Sequence, residues 1–160
     1  MRATRFNHVS VQALDMEESL RFYLDVFGLE RLPSPTFSGH VEWLRVGEQQ
    51  LHLFKSEGHA PRAHHFALDV DDFEAAYRKA KELDLLDGET FGAAVRELPD
   101  GAVQMYIRDP AGNLVEVNWP DVSTLDRSVI TDISRVADER PQTGEAASAT
   151  LYHATGTALR

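Results

Sequence analysis

Between Phe6 and Trp119 the apolar residues follow two rhythms, and both occur twice. From His8 the chain alternates, with Val9 and Val11 set against His8, Ser10 and Gln12, which is the period-two pattern of a strand with one buried face. Met16, Leu20, Tyr23, Leu24 and Phe27 then recur at helical spacing. Asp15 with Glu18 three positions on resembles a capping box, and Gly28 stands where a left-handed C-cap is wanted. The second occurrence opens at His65. Phe66, Leu68 and Val70 alternate against it, and Phe73, Ala76, Tyr77 and Ala80 predict a helix over roughly 72–83, started by Asp71 with Glu74 in the capping-box position. The offset 65 − 8 = 57 recurs between Asp15 and Asp72, so a strand and helix are duplicated.

After each helix come strand-like runs, at 41–46 and 49–54 in the first half and 103–108 and 113–119 in the second, with fainter ones at 29–32 and 93–98. Gly47-Glu48 and Asp109-Pro110-Ala111-Gly112 are turn signals just before the last strand of each half. The expectation is an α+β domain over residues 1–120, made of two βαβββ modules at 5–56 and 62–120 whose sheets curve around a cavity, followed by an extension over 121–160. In that extension Leu125, Val129, Ile130, Ile133 and Val136 form a stripe that predicts an amphipathic helix from Thr124 to Arg140, stopped by Pro141 to Gly144.

The alternation also sorts the polar residues. Leu51 and Leu53 flank His52, and Val115 and Val117 flank Glu116, so these two, like His8 and His65, look away from the helices. On a curved sheet with helices on its convex side, His8, His52, His65 and Glu116 would converge in the concavity. Such a set, or a 2-His-1-carboxylate subset with open positions, suits one divalent ion of iron, nickel, manganese, cobalt or zinc. His8 and His65 occupy the same module position, and His52 and Glu116 match within one residue when counted from Gly47 and Gly112. His40, His59, His64 and His153 lack a counterpart and read as ordinary surface or edge residues.

Composition narrows the partners. A net charge of −10, from 16 basic and 26 acidic residues, argues against nucleic acid, which needs clustered Lys and Arg. There is no cysteine, so thiolate chemistry and cysteine zinc sites are excluded and any metal must use His and carboxylates. No apolar run approaches a membrane span or a signal-peptide core, so a cytoplasmic protein acting on a small molecule is expected.

The stretches Phe6-Asn-His-Val-Ser10, Ser19-Leu-Arg-Phe-Tyr-Leu-Asp-Val-Phe-Gly28, His65-Phe-Ala-Leu68 and Asp109-Pro-Ala-Gly-Asn-Leu-Val-Glu116 together resemble the vicinal oxygen chelate superfamily, over roughly Phe6 to Pro120. That group includes glyoxalase I, extradiol dioxygenases, methylmalonyl-CoA epimerase, fosfomycin-resistance proteins and bleomycin-binding proteins. The resemblance implies paired βαβββ modules around one divalent ion that binds two substrate oxygens, with His8, His65 and Glu116 as ligands and a homodimer as the common assembly. His52 stands where glyoxalase I has Glu and the epimerase Gln, so its role as fourth ligand or as acid–base group is left open. Glyoxalase-type lyase or isomerase chemistry is the leading expectation, with Glu116, His52 and Tyr106 as the catalytic candidates. Extradiol ring cleavage, fosfomycin-type thiol transfer and metal-free drug binding are the alternatives. Resemblance and strand parity together add Ser10, Trp43, Phe54, Gln104, Arg108 and Asn118 as candidates for touching substrate.

Overall fold

The computed structural model describes residues 5–152, and within them the duplicated unit folds twice in the same order. In the first copy β1 (His8–Ala13) leads through α1 (Met16–Phe27) to β2 (Glu30–Leu32), β3 (Val41–Val46) and β4 (Gln49–Lys55). In the second, β5 (His65–Asp69) leads through α2 (Phe73–Glu82) to β6 (Val95–Glu97), β7 (Val103–Arg108) and β8 (Leu114–Trp119). Each copy forms one mixed sheet of the same topology, β1-β4-β3-β2 and β5-β8-β7-β6, with its first strand parallel to its last and the others antiparallel. The protein is thus α+β, with two βαβββ units, as the alternation predicts.

Both helices begin on an aspartate that satisfies an otherwise orphaned backbone donor. Asp15 Oδ1 accepts from the Glu18 amide at 2.9 Å, and Asp72 Oδ1 accepts from the Ala75 amide at 2.8 Å. The cap of α2 is therefore Asp72, one residue beyond the Asp71 expected from the Glu74 spacing. Asp72 keeps the extended backbone of a cap, at φ −142, and it is the residue that the 57-residue offset pairs with Asp15. Gly28 closes α1 at φ 61, where a side chain would be strained.

The apolar face of each sheet packs under its helix. Leu44, Leu51 and Leu53 from the first sheet and Val95, Val103, Met105, Val115 and Val117 from the second are buried with Leu20, Tyr23, Phe73 and Tyr77 from the helices. Each such Leu, Val or Phe stabilises the fold by about 1.5–3 kcal/mol. A polar clamp joins the modules. The Asp109 carboxylate, 4% exposed, accepts from the amides of Ala111 and Asn113, from Asn113 Nδ2 and from the Tyr23 hydroxyl, all at 2.7–2.9 Å. Asn113 Nδ2 also donates to the Gln12 carbonyl at 2.7 Å, so the β7–β8 turn of one module is bonded to both α1 and β1 of the other. Burial first raises the Asp109 carboxyl above its ordinary value, against the pull of these donors.

The extension differs from the expected helix over 124–140. Val122–Thr124 is a single 3₁₀ turn, β9 (Ile133–Arg135) adds to the second sheet parallel to β6, and only α3 (Val136–Glu139) is α-helical, before a further 3₁₀ turn at Gly144–Ser148. The stripe is still apolar for a reason, since Leu125 and Ile130 are buried. Asp126 turns the chain instead of continuing a helix, its side chain accepting from the amide and hydroxyl of Ser128. The β-branched run Val129, Ile130, Thr131 and Ile133 then favours extended backbone. His153 lies outside the described residues.

Candidate metal centre

On the face of each sheet turned away from the helices, strand register fixes which polar residues are neighbours. In the first sheet Ser10 pairs with His52 and His52 with Trp43; in the second Ala67 pairs with Glu116 and Glu116 with Tyr106. One row along, Gln12 pairs with Phe54 and Phe54 with Val41, against Asp69 with Asn118 and Asn118 with Gln104. His52 and Glu116, and likewise Phe54 and Asn118, are therefore structural equivalents.

The second sheet holds a tightly specified pair. His65 Nδ1 donates to the Ala63 carbonyl at 2.9 Å, which turns Nε2 toward Glu116 Oε2, 3.3 Å away. Glu116 is 3% exposed, and its other oxygen accepts from Gln104 Nε2 at 2.8 Å. Gln104 Oε1 in turn accepts from the Tyr106 hydroxyl at 3.1 Å. Burial, and then the Glu116 charge, raise the Tyr106 phenol far above its ordinary value. Phe91 packs on Tyr106, with ring centres 4.7 Å apart, and meets His65 edge-on.

The first sheet holds a different pair. His8 and His52 stack with ring centres 4.2 Å apart, and Trp43 continues the stack on His52 at 4.6 Å. His8 Nδ1 donates to Asn7 Oδ1 at 2.9 Å, freeing Nε2 as in His65. His52 is turned the other way, since its Nε2 donates to Gln50 Oε1 at 2.8 Å and only Nδ1 retains a lone pair. Burial and the neighbouring His8 lower the His52 pKa. A cavity of about 320 Å³ lies against this stack, lined by His8, Ser10, Phe37, Trp43, His52 and Phe54. An adjoining one of about 250 Å³ shares Ser10 and Phe54 and reaches His64 and His65.

The duplicated modules, their topology and this placing of His and Glu are accompanied by a match to a known family. The profile described as the Glyoxalase/Bleomycin resistance protein/Dioxygenase superfamily matches residues 5–117. The chain belongs to this superfamily. Protein YwbC of Bacillus subtilis (strain 168) is 30% identical over 124 residues, covering 71% of this chain and 96% of YwbC. The mitochondrial methylmalonyl-CoA epimerase of Mus musculus is 28% identical over 131 residues, covering 71% of each chain. Among solved structures, lactoylglutathione lyase from Agrobacterium tumefaciens superposes with a TM-score of 0.58 at 24% identity, over 78% of this chain and all 100% of that one.

Set against the superfamily's use of a divalent ion, the side chains present fit one in part. His65 and Glu116 offer a nitrogen and an oxygen at the spacing of two adjacent ligands, each about 2.1 Å from a shared ion and so about 3.2 Å from each other. Both are held from behind, His65 by a carbonyl and Glu116 by Gln104, as ligands are. The expected convergence of four ligands is not present: among the described residues no three His, Asp or Glu side chains stand close enough to share an ion. The reason is topological, because the pairs belong to separate sheets whose edge strands β1 and β5 border a cavity of about 320 Å³ lined by Val9, Leu51, His65 and Phe66.

The other expected contacts divide. Ser10, Trp43 and Phe54 line the cavities, while Gln104, Tyr106 and Asn118 lie on the open face of the second sheet, with Asn118 Oδ1 buried and without a partner. Arg108 is committed elsewhere. It donates to Asp87, Thr90 and the carbonyls of Gly112 and Arg62, and so anchors the loop before β6. Phe37 and Phe91 were passed over in the sequence because they sit in loops, where no periodicity marks a face, and His64, read as an ordinary edge residue for want of a counterpart, lines a cavity beside His65.

Proposed function

We propose that the protein is a divalent-metal-dependent enzyme that binds a small oxygenated substrate through two oxygens, with His8, His65 and Glu116 as ligands and lyase or isomerase chemistry of the glyoxalase type. The observation that carries this is the His65–Glu116 pair: an imidazole nitrogen and a buried carboxylate oxygen, 3.3 Å apart and each held from behind, are placed to share one cation, a proton or a metal ion. A bound divalent ion would act as a Lewis acid on the substrate oxygens. His52, with its Nε2–H given to Gln50, presents Nδ1 as the base for a proton next to a polarised carbonyl. Tyr106 and Gln104 orient Glu116. The cavities on the two halves share Ser10 and Phe54, and His8 joins the His65–Glu116 pair only when the two sheets close toward each other; a homodimer would then carry two sites.

A second reading, ring cleavage by an extradiol-type dioxygenase, is favoured by the aromatic wall of Phe37, Trp43 and Phe54 and by the engaged Nε2 of His52, which leaves three ligands and open positions. Neither cavity at the site is lined by Lys or Arg among the described residues, which places phosphonate-directed thiol transfer lower. Metal-free drug binding does not need the Glu116 network.

The test is metal content after purification and separate supplementation with iron, nickel, manganese, cobalt and zinc. About one ion per chain, lost in His65→Ala and Glu116→Gln, supports the proposal; a content near zero with every metal overturns it. Hemithioacetals, catechols with oxygen uptake, and epoxides then separate the reactions.

A further inference from the structure

The chain carries a segment that the superfamily match does not reach, and this segment returns to the site. Beyond residue 117 the extension first lengthens the second sheet with β9, then doubles back through Gly144–Ser148. At its described end the Leu151 amide donates to Asp100 Oδ2 at 2.8 Å, in the β6–β7 turn, and the Tyr152 hydroxyl donates to Asp69 Oδ1 at 2.7 Å, at the end of β5. β5 and the β6–β7 turn lie on either side of β8, so Leu151 and Tyr152 lie across the end of the second sheet. Asp69 pairs in register with Asn118, and Asn118 with Gln104, the residue that holds Glu116.

Burial agrees with that path. Asn118 and Glu116 are 5% and 3% exposed on a face that the helices do not cover, whereas Phe54, the equivalent of Asn118 in the first module, is 40% exposed. Asn118 Oδ1 is buried there without a donor, beside an Asp69 whose Oδ1 accepts from Tyr152. A polar atom sealed away unpaired costs about 1–3 kcal/mol, so Asn118 Oδ1, once uncovered, suits a ligand that brings a hydrogen-bond donor.

We propose that residues 144–152 form a strap over the second-module half of the site, with Tyr152 on Asp69 as its latch, and that a ligand's hydroxyl reaches Asn118 only when this latch opens. The strap makes Tyr152 a determinant of which molecules approach Glu116. This deepens the proposed function, yet its test needs no metal.

Because the chain has no cysteine, a single introduced thiol reports access at one place. Asn118→Cys is treated with N-ethylmaleimide in EDTA, in the full chain, in a Tyr152→Ala background and in a chain ending at Gln142. Ser10→Cys, in the open half, serves as the reference in each background. The expected result is modification at position 118 at least about 10-fold faster in both altered backgrounds, with the rate at position 10 unchanged. Rates at position 118 equal within twofold in all three backgrounds overturn the strap, and acceleration by truncation without any by Tyr152→Ala overturns the latch. Since EDTA is present throughout, a protein that binds no metal refutes the enzyme reading and leaves this measurement decisive.

Discussion

The two modules share a topology and differ in what they present on their open faces. The first offers an aromatic, accessible face in which His8, His52 and Trp43 stack on one another and Phe54 is left to solvent. In the second, Glu116, Gln104 and Tyr106 stand where the first has His52, Val41 and Trp43, and they are buried or half-buried in a hydrogen-bonded chain under Phe91 and Tyr152. One duplicated scaffold has thus been given a fixed polar half, able to hold charge, and an adaptable aromatic half, able to accept shape. In the proposed reaction, preorganisation would reside where the chemistry needs a defined charge, and stacking where it needs a surface.

Removing charge from the fixed half should have the largest effect. Glu116→Gln is expected to weaken metal binding by more than about 100-fold, beyond the range for outer hydrogen-bond partners, as read by equilibrium titration with Co²⁺ or Mn²⁺. Breaking the clamp between the halves comes next. Tyr23→Phe leaves the buried Asp109 carboxylate short of one donor and should lower stability by about 1–3 kcal/mol in urea unfolding, with Trp43 and Trp119 in opposite modules testing whether they still unfold together. Gln104→Leu removes the hand behind Glu116 without touching the ligand atoms, and about a 10-fold loss of metal affinity is expected. His52→Gln on the adaptable half should change metal affinity by less than about 3-fold, below the range for outer partners, since His52 in this reading neither ligates the ion nor bonds a ligand from behind; a loss comparable to that of Glu116→Gln would make His52 a ligand and erase the distinction.

The smallest effect concerns the loop that lays Phe91 over the fixed half. Burial pushes the Asp87 carboxyl up, but hydrogen bonds from Thr90 and the Arg108 guanidinium overcome this and hold it below its ordinary value. A carboxyl lowered on folding stabilises above its unfolded value and loses that stabilisation as pH falls through the folded one. The loop around residues 86–94 should therefore loosen only below the ordinary aspartate range, seen as faster cleavage there by an acid-active protease. Asp87→Asn should abolish that pH dependence.

Much of this was legible in the chain. The strands at 41–46 and 103–108 begin and end where alternation and turn signals place them, because a half-buried strand needs a strict period of two. The facing of His8, His52, His65 and Glu116 followed from the same parity. The start of α2 was misread by one residue because Asp71 and Asp72 are both competent caps, and only the hydrogen bond to Ala75 distinguishes them. The extension was misread more seriously, since an apolar stripe records burial and not the backbone that delivers it. Arg108 shows the same gap, for strand parity gives the direction of a guanidinium and says nothing of the loop carbonyls that claim its donors.

By itself the sequence determined the duplication, the strands of the two sheets, the start of α1 and the facing of the candidate ligands, all of which are read from local periodicity within each module. The tertiary structure alone decided how candidate ligands 44 or 51 positions apart associate, pairing His8 with His52 and His65 with Glu116. It also decided that the nitrogen engaged on His52 differs from that on His8 and His65, and that a tail outside the duplicated unit comes back to bond Asp69 and Asp100 of the second module. These outcomes depend on through-space hydrogen bonds and on the packing of sheet against strap, and no periodicity along a chain encodes which distant atom will be the partner.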